Sequence, residues 1–181
     1  MIQESYEWKQ AIKRNDAYVR RLCNSALSDE EEYLLDRIQI RLVSNALFVR
    51  RLLETPKVAT ALKHAAIPVV TFPWKGTRVD YFNNHHIDSK YQLNNGLDKT
   101  VRAAILCDQI IHSFVWAWLT DDTGGHLDGF MVSSDRKKHS ELIAVQLHDW
   151  LGFTRAVANS DPTCGLYIRD DAKGEWEFHA K

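Results

Sequence analysis

The chain has 181 residues, of which 45% are hydrophobic and 26% are charged, and its formal net charge is −1. A chain of this length can bury a core without help from a metal or a disulfide, so one domain is expected. The nearly neutral balance, with a pI of about 6.7, argues against a dedicated nucleic-acid-binding protein but leaves room for a local basic face.

The three cysteines, Cys23, Cys107 and Cys164, are odd in number and widely spaced. No zinc-type spacing is present, so we expect reduced thiols in a reducing compartment. The N-terminal residues lack the apolar run of a signal peptide, and the longest apolar stretch, residues 110–119, is too short to cross a bilayer. These features predict a cytoplasmic protein with no cofactor and no membrane contact.

The first 66 residues predict antiparallel helices. Apolar residues recur at helical spacing over residues 3–27. A capping-box pattern at Ser28 and Glu31 begins a second helix that runs to about residue 54. Thr55 and Pro56 begin a third, which Pro68 ends. The connections are short, which favours antiparallel neighbours.

Residues 67–97 are rich in Pro, Gly and Asn and predict an irregular connection. Within this connection, residues 69–72 and 78–82 can form short strands. Asp98 is then expected to cap a helix that carries Val101, Ala104 and Ile105. The sequence leaves open where this helix ends and the following strand begins, because Ile110 and Ile111 fit either period.

Residues 113–147 contain three runs rich in β-branched and aromatic residues, which predicts an antiparallel meander. On its first strand, alternation places Phe114, Trp116 and Trp118 on one face. The other face is apolar too, so we expect the chain's own helices to cover both faces.

The remaining residues predict a helix and a hairpin. Asp149 is expected to cap a helix over residues 150–159. In the terminal hairpin, Leu166 and Ile168 are predicted to face Trp176 and Phe178, with Gly174 at positive φ in the turn. The fold class is therefore α+β: N-terminal antiparallel helices packed on a C-terminal antiparallel meander, with a further helix and a terminal hairpin. We expect a single domain over 1–181, in three parts: 1–66, 67–97 and 98–181.

Two clusters invite a ligand or metal interpretation. His86 and Asp88 would share one side of an extended segment, and His85 is adjacent. Zinc needs three or four ligands, so His112 or His126 would have to complete a site. The aromatic residues Phe72, Trp74, Tyr81 and Phe82 fit either a partner surface or burial over the sheet.

The first two helices also carry basic residues, including Arg37 and Arg41 at i,i+4. They can form a phosphate-contacting stripe. Acidic neighbours favour a solvated, salt-bridged face instead. None of the common nucleotide, phosphate, acyl-transfer or zinc-protease motifs is present in the sequence.

Residues 106–113 read Leu-Cys-Asp-Gln-Ile-Ile-His-Ser, with Arg102 upstream and two long predicted helices earlier in the chain. This segment resembles the closing helix of HEPN-type proteins. That family is helical, and many members are ribonucleases or partners in bacterial toxin–antitoxin and phage-defence systems. The resemblance implies catalytic roles for Arg102 and His112, although nine residues separate them here, a longer spacing than the family's signature has.

Three hypotheses for function follow. The first is a non-catalytic binding or regulatory protein of a bacterial defence or toxin–antitoxin type, acting through contacts with a protein partner or within a homo-oligomer. The second is a HEPN-like ribonuclease that uses Arg102 and His112, with RNA as its partner. The third is a small-ligand or metal-binding protein that uses His85, His86 and Asp88.

Overall fold

The computed structural model describes residues 4–23, 32–121, 126–170 and 174–180, and it shows the α+β fold that the sequence predicts. The helices are α1 (Tyr6–Cys23), α2 (Glu32–Leu53), α3 (Thr60–Lys63), α4 (Ile87–Lys90), α5 (Ala103–Ile111) and α6 (Leu147–Asn159). The strands are β1 (Ala66–Pro73), β2 (Leu97–Arg102), β3 (Ser113–Thr120), β4 (Leu127–Ser134), β5 (Glu141–Gln146), β6 (Gly165–Asp170) and β7 (Glu175–Ala180).

Five strands form one antiparallel sheet in the order β2-β1-β5-β4-β3. The predicted meander is confirmed as β3, β4 and β5. β1 lies between β2 and β5. It confirms the strand considered at residues 69–72 and is longer than expected, because it spans Ala66–Pro73. Its residues alternate in burial, with Ile67, Val69 and Thr71 buried, as the two-residue period of a strand requires.

The helices cover one face of the sheet. α5 and α6 make the main helical contacts with the strands, and α1 and α2 pack on them from outside. α1 and α2 run antiparallel, because Trp8 packs against Phe48 while Tyr18 lies beside Arg37. The predicted antiparallel arrangement of these two long helices is therefore confirmed.

A buried polar network joins α1, α2 and α6. The carboxylate of Asp16 accepts hydrogen bonds from Asn45 Nδ2 at 2.8 Å and from Thr154 Oγ1 at 2.9 Å. Asn45 in turn accepts a bond from Asn15 Nδ2 at 2.8 Å. Burial raises the pKa of Asp16 from 3.8 to about 6, against the opposing effect of these hydrogen bonds and nearby arginines. The network fixes the register of the three helices, because a one-turn slip would leave buried polar groups unpaired.

Residues 74–93 cover the opposite face of the sheet. Val79 and Tyr91 from this segment pack with Val115 and Met131 from β3 and β4 in a second apolar cluster. The Tyr91 hydroxyl donates to the carbonyl oxygen of Lys138 at 2.8 Å, and burial raises its pKa to about 12. Both faces of β3 are therefore covered, as expected, but its second face is covered by residues 74–93 rather than by a helix.

A β-bulge changes the faces of β3. Its pairing with β4 shifts register between Ser113 and Val115. Trp116 and Trp118 pack in the helical core, whereas Phe114 packs with the second cluster. The prediction that Phe114 shares a face with the two tryptophans is wrong, because a bulge adds a residue and interrupts the alternation of faces.

Several predicted helix boundaries are wrong. Asp98 lies in strand β2, and the helix begins at Ala103. The helix expected from Thr55 is limited to the four residues of α3. Residues 78–82 form a turn-containing loop rather than a strand. α6 begins before Asp149, which lies in its first turn. The capping-box residues Ser28 and Glu31 lie outside the described residues.

The terminal hairpin is confirmed, and Gly174 has a φ of +69°. Its predicted pairing is off by one residue, because Tyr167 pairs with Phe178 and Arg169 with Trp176. β6 and β7 form a separate two-stranded sheet, and Leu166, Tyr167, Ile168 and Trp176 are exposed on it. Within the described residues, no helix combines the length and the apolar character that a membrane span needs.

Candidate functional site

A cleft of about 700 Å³ lies where three chain segments meet beside the bulge of β3. The segments are the loop at residues 78–81, the junction of α5 and β3 at residues 111–114, and the turn between β4 and β5 at residues 135–139. We call this site the basic cleft. Its polar and aromatic lining residues are Arg78, Asp80, Tyr81, His112, Ser113, Phe114, Asp135, Lys138 and His139.

Local hydrogen bonds shape the loop that forms one wall. The side chain of Asn83 accepts from the Asp80 amide at 2.9 Å, and Asp80 accepts from the Phe82 amide at 3.0 Å. Such side-chain-to-backbone bonds are typical of Asx turns. The buried Val79 anchors the loop, and Tyr81 is left 82% exposed at its tip.

His139 joins this loop to the opposite wall. Its Nε2 atom accepts a hydrogen bond from the Val79 amide at 3.0 Å. A nitrogen that accepts cannot carry a proton, so the geometry assigns the proton of the neutral ring to Nδ1. The imidazole also lies 5.1 Å from the ring of Trp74. His139 therefore holds the walls of the basic cleft together.

An ammonium group and two rings line the centre of the cleft. The Lys138 Nζ atom lies 3.7 Å from the centroid of the Phe114 ring and 2.8 Å from Asp135 Oδ1. This hydrogen bond and the lysine charge lower the pKa of Asp135. The Phe114 ring contacts Tyr81 edge-on, with centroids 5.0 Å apart. The β3 bulge thus places Phe114 where it supports both the cation and the exposed tyrosine.

Two further groups remain open to a ligand. The exposed guanidinium of Arg78 makes no ion pair with any described residue. His112 is exposed at the C-terminal end of α5, where its carbonyl oxygen accepts from the Asp135 amide at 3.2 Å. Lys138 and Asp135 form an ion pair, so Arg78 is the unpaired cation among the lining residues, and the carboxylate of Asp80 is the second acidic group of the lining.

A second pocket of about 490 Å³, which we call the second lobe, lies along α5 next to the first. His112 and Asp135 line both lobes. The second lobe adds the exposed side chains of Arg136 and Lys137, while its Asp108 is paired with Arg50 at 2.9 Å. The cationic surface therefore extends beyond one compact pocket.

The structure does not bring Arg102 and His112 together. Arg102 precedes the first residue of α5, and His112 follows its last residue. At a rise of 1.5 Å per residue, the two positions are roughly 15 Å apart along the helix. His112 lines the basic cleft, whereas Arg102 is not among its lining residues.

The four aromatic residues predicted as one surface are divided between two environments. Phe72 and Trp74 are partly buried in the second apolar cluster. Tyr81 and Phe82 are 82% and 90% exposed. Of the exposed pair, Tyr81 lines the cleft.

The predicted metal residues lie at the exposed start of α4. The rings of His85 and His86 are 3.9 Å apart, and Asp88 follows in the first turn. His126 lies beside Asp121, at 3.2 Å. Among the residues that the structure describes, no three His, Cys, Asp or Glu side chains are grouped so that they could hold a metal ion.

Sequence analysis missed Arg78, Lys138 and His139. The run Asp135-Arg136-Lys137-Lys138-His139 separates two apolar runs of the predicted meander, and four basic or titratable side chains follow one carboxylate in it. Its concentration of charge between two apolar strands was the available signal. Arg78 lies in the irregular segment, where the sequence gives no register.

Fold and cleft together define an α+β protein with a concave surface site where three chain segments meet. Comparisons of the chain with protein-family models, with curated proteins and with solved structures found no match.

Proposed function

We propose that this protein is a non-catalytic binding protein that holds an anionic ligand group in the basic cleft. The observation that carries the proposal is the open guanidinium of Arg78 in a cleft that His112 also lines and whose lysine is already neutralised by Asp135. A preformed concave site with a few placed polar groups is the usual form of a ligand site. An anion would add the partner that Arg78 lacks.

Binding rather than catalysis is favoured by the surroundings of His112. Its side chain makes no hydrogen bond or ion pair with any described residue. A catalytic histidine is normally oriented by a second group and works with a third. The ribonuclease hypothesis would therefore need a partner other than Arg102, which lies at the far end of α5.

The test is a nuclear magnetic resonance titration of the full chain with inorganic pyrophosphate at low ionic strength. We expect amide shifts to concentrate at residues 78–81, 111–114 and 135–139, and Arg78→Gln to weaken the response. Arg14→Gln is the matched control, because Arg14 is an exposed residue of α1 that does not line the cleft. Equal effects of the two variants would contradict the proposal.

A second candidate is binding through protein contacts, within a homo-oligomer. The terminal hairpin favours it, because a two-stranded sheet is marginally stable alone and this one exposes Leu166, Ile168 and Trp176. Packing of a second copy on the face that carries Leu166 and Ile168 would cover these two side chains, whereas Trp176 lies on the opposite face. Light scattering should then give a dimer mass for the wild type and a monomer mass for Ile168→Lys. A monomeric wild type would eliminate this candidate. A regulatory role in bacterial defence stays a prediction.

A further inference from the structure

We infer that the ligand of the basic cleft is a single-stranded nucleic acid, with one base on Tyr81 and its phosphates beside Arg78 and the Arg136–Lys137 pair. This inference rests on the proposed function and gives the anion a chemical class. Three features of the described residues support it: an exposed aromatic ring, two lobes that share lining residues, and a carboxylate that lines both lobes.

The aromatic ring is positioned for stacking. Tyr81 stands at the tip of a loop held by the Asp80–Asn83 hydrogen bond, with one edge against Phe114 at 5.0 Å. Its ring is largely exposed. Fixed aromatic rings beside cationic side chains are the shared feature of proteins that bind single strands, because every base offers a flat face for stacking.

Two lobes that share lining residues point to a ligand with repeated charge. The lobes measure about 700 and 490 Å³ and share His112 and Asp135. Pockets of this size each hold one small molecule. Arg78 and Lys137 line different lobes, and neither makes an ion pair with a described residue. A chain that carries one phosphate per nucleotide offers a phosphate to each lobe.

Asp135 and Tyr81 together favour a nucleic acid over an acidic peptide. The Asp135 carboxylate is exposed, lines both lobes and lies 2.8 Å from Lys138 Nζ. The exocyclic amino groups of cytosine and adenine are donors that a carboxylate can accept. An acidic peptide has no base whose flat face could stack on Tyr81. A duplex would keep its bases stacked and away from Tyr81.

The experiment is fluorescence anisotropy of a labelled cytidine RNA hexamer with the full chain. We expect Tyr81→Ala to weaken binding by roughly 5- to 150-fold, the range for loss of one stacked base. Phe82→Ala is the matched control, since Phe82 is an exposed neighbour that does not line the cleft. It should leave binding unchanged. Lys137→Gln should reduce the salt dependence by about one phosphate contact.

The outcomes separate this inference from the proposed function. If pyrophosphate shifts the cleft amides but the hexamer binds no more tightly than pyrophosphate, the nucleic-acid inference fails and anion binding stands. If neither binds, both fail. Equal losses in Tyr81→Ala and Phe82→Ala, or equally tight binding of a glutamate hexapeptide, would also overturn the inference. Cleavage of the hexamer that His112→Ala abolishes would overturn the non-catalytic proposal while leaving RNA as the ligand.

Discussion

Replacing the buried Asp16 with asparagine tests the electrostatics of the helical core. The carboxylate is nearly inaccessible and accepts bonds from Asn45 and Thr154. An asparagine at this position keeps an oxygen that can accept from either group and removes the charge. We therefore expect Asp16→Asn to stabilise the protein at pH 7.

The magnitude follows from the pKa. The ordinary pKa of an aspartate is 3.8, and the pKa of Asp16 in the folded protein is about 6. Between these two pH values the folded chain binds more protons than the unfolded chain, so stability falls as the pH rises. The full difference corresponds to roughly 3 kcal/mol. The variant should gain up to about this amount over the wild type at pH 7 and much less at pH 4, where Asp16 is almost fully protonated in the folded state and close to half-protonated in the unfolded state.

Urea unfolding of both proteins between pH 4 and pH 7 measures this difference. Asp36→Asn is the matched control, because Asp36 is an exposed carboxylate of α2. That variant should stay within about 0.5 kcal/mol of the wild type, as expected for a surface site. A difference between Asp16→Asn and the wild type that does not change with pH would refute the reasoning, because burial would then not disfavour the charged form.

Two further predictions concern close packing and thiol reactivity. Gly129→Ala should destabilise the protein by about 1–3 kcal/mol in urea unfolding, because its new Cβ atom would lie 2.4 Å from the carbonyl oxygen of Val145. Gly152→Ala should instead stabilise α6 by about 0.5–1 kcal/mol, because nothing lies within 4 Å of its Cβ position. Equal changes in the free energy of unfolding for the two variants would contradict this packing argument. Iodoacetamide should add rapidly to the exposed Cys164 alone, since burial raises the pKa of Cys23 to about 11 and that of Cys107 to about 12. Mass spectrometry of the native protein should show one fast adduct, and rapid labelling of a second thiol would count against these pKa values.

Sequence patterns were most informative where neighbouring residues form an element by themselves. The meander and the terminal hairpin pair strands that are adjacent in the chain, so alternation and turn residues were enough to predict them. β2 was predicted as a helix because Asp98 is a good cap and Val101 and Ala104 fit a helical period. Pairing with β1 makes this segment a strand, and that partner cannot be recognised from local periodicity.

The basic cleft was harder still to predict, because local sequence patterns do not show which distant segments meet. His112 and Tyr81 were noted from the sequence, but for different sites and with different partners. The cleft joins three segments that no short motif connects, and one of its walls depends on the β3 bulge that moves Phe114 to the opposite face. A one-residue irregularity of this kind leaves no signal in a two-residue alternation.

The place of β1 in the sheet also bears on the order in which the molecule folds. β1 pairs with β5 through Thr71 and Ile143, positions far apart in the chain, whereas the meander and the α1–α2 pair are formed by neighbouring segments. Closing a long loop costs entropy before its contacts are gained, so pairings of this kind form slowly. We expect the meander to form early and β1 to join it late. Because residues 74–93 follow β1 directly, the cleft takes shape only with that closure, and a chain that ends before β5 would have the loop but not the strand that joins β1 to β4.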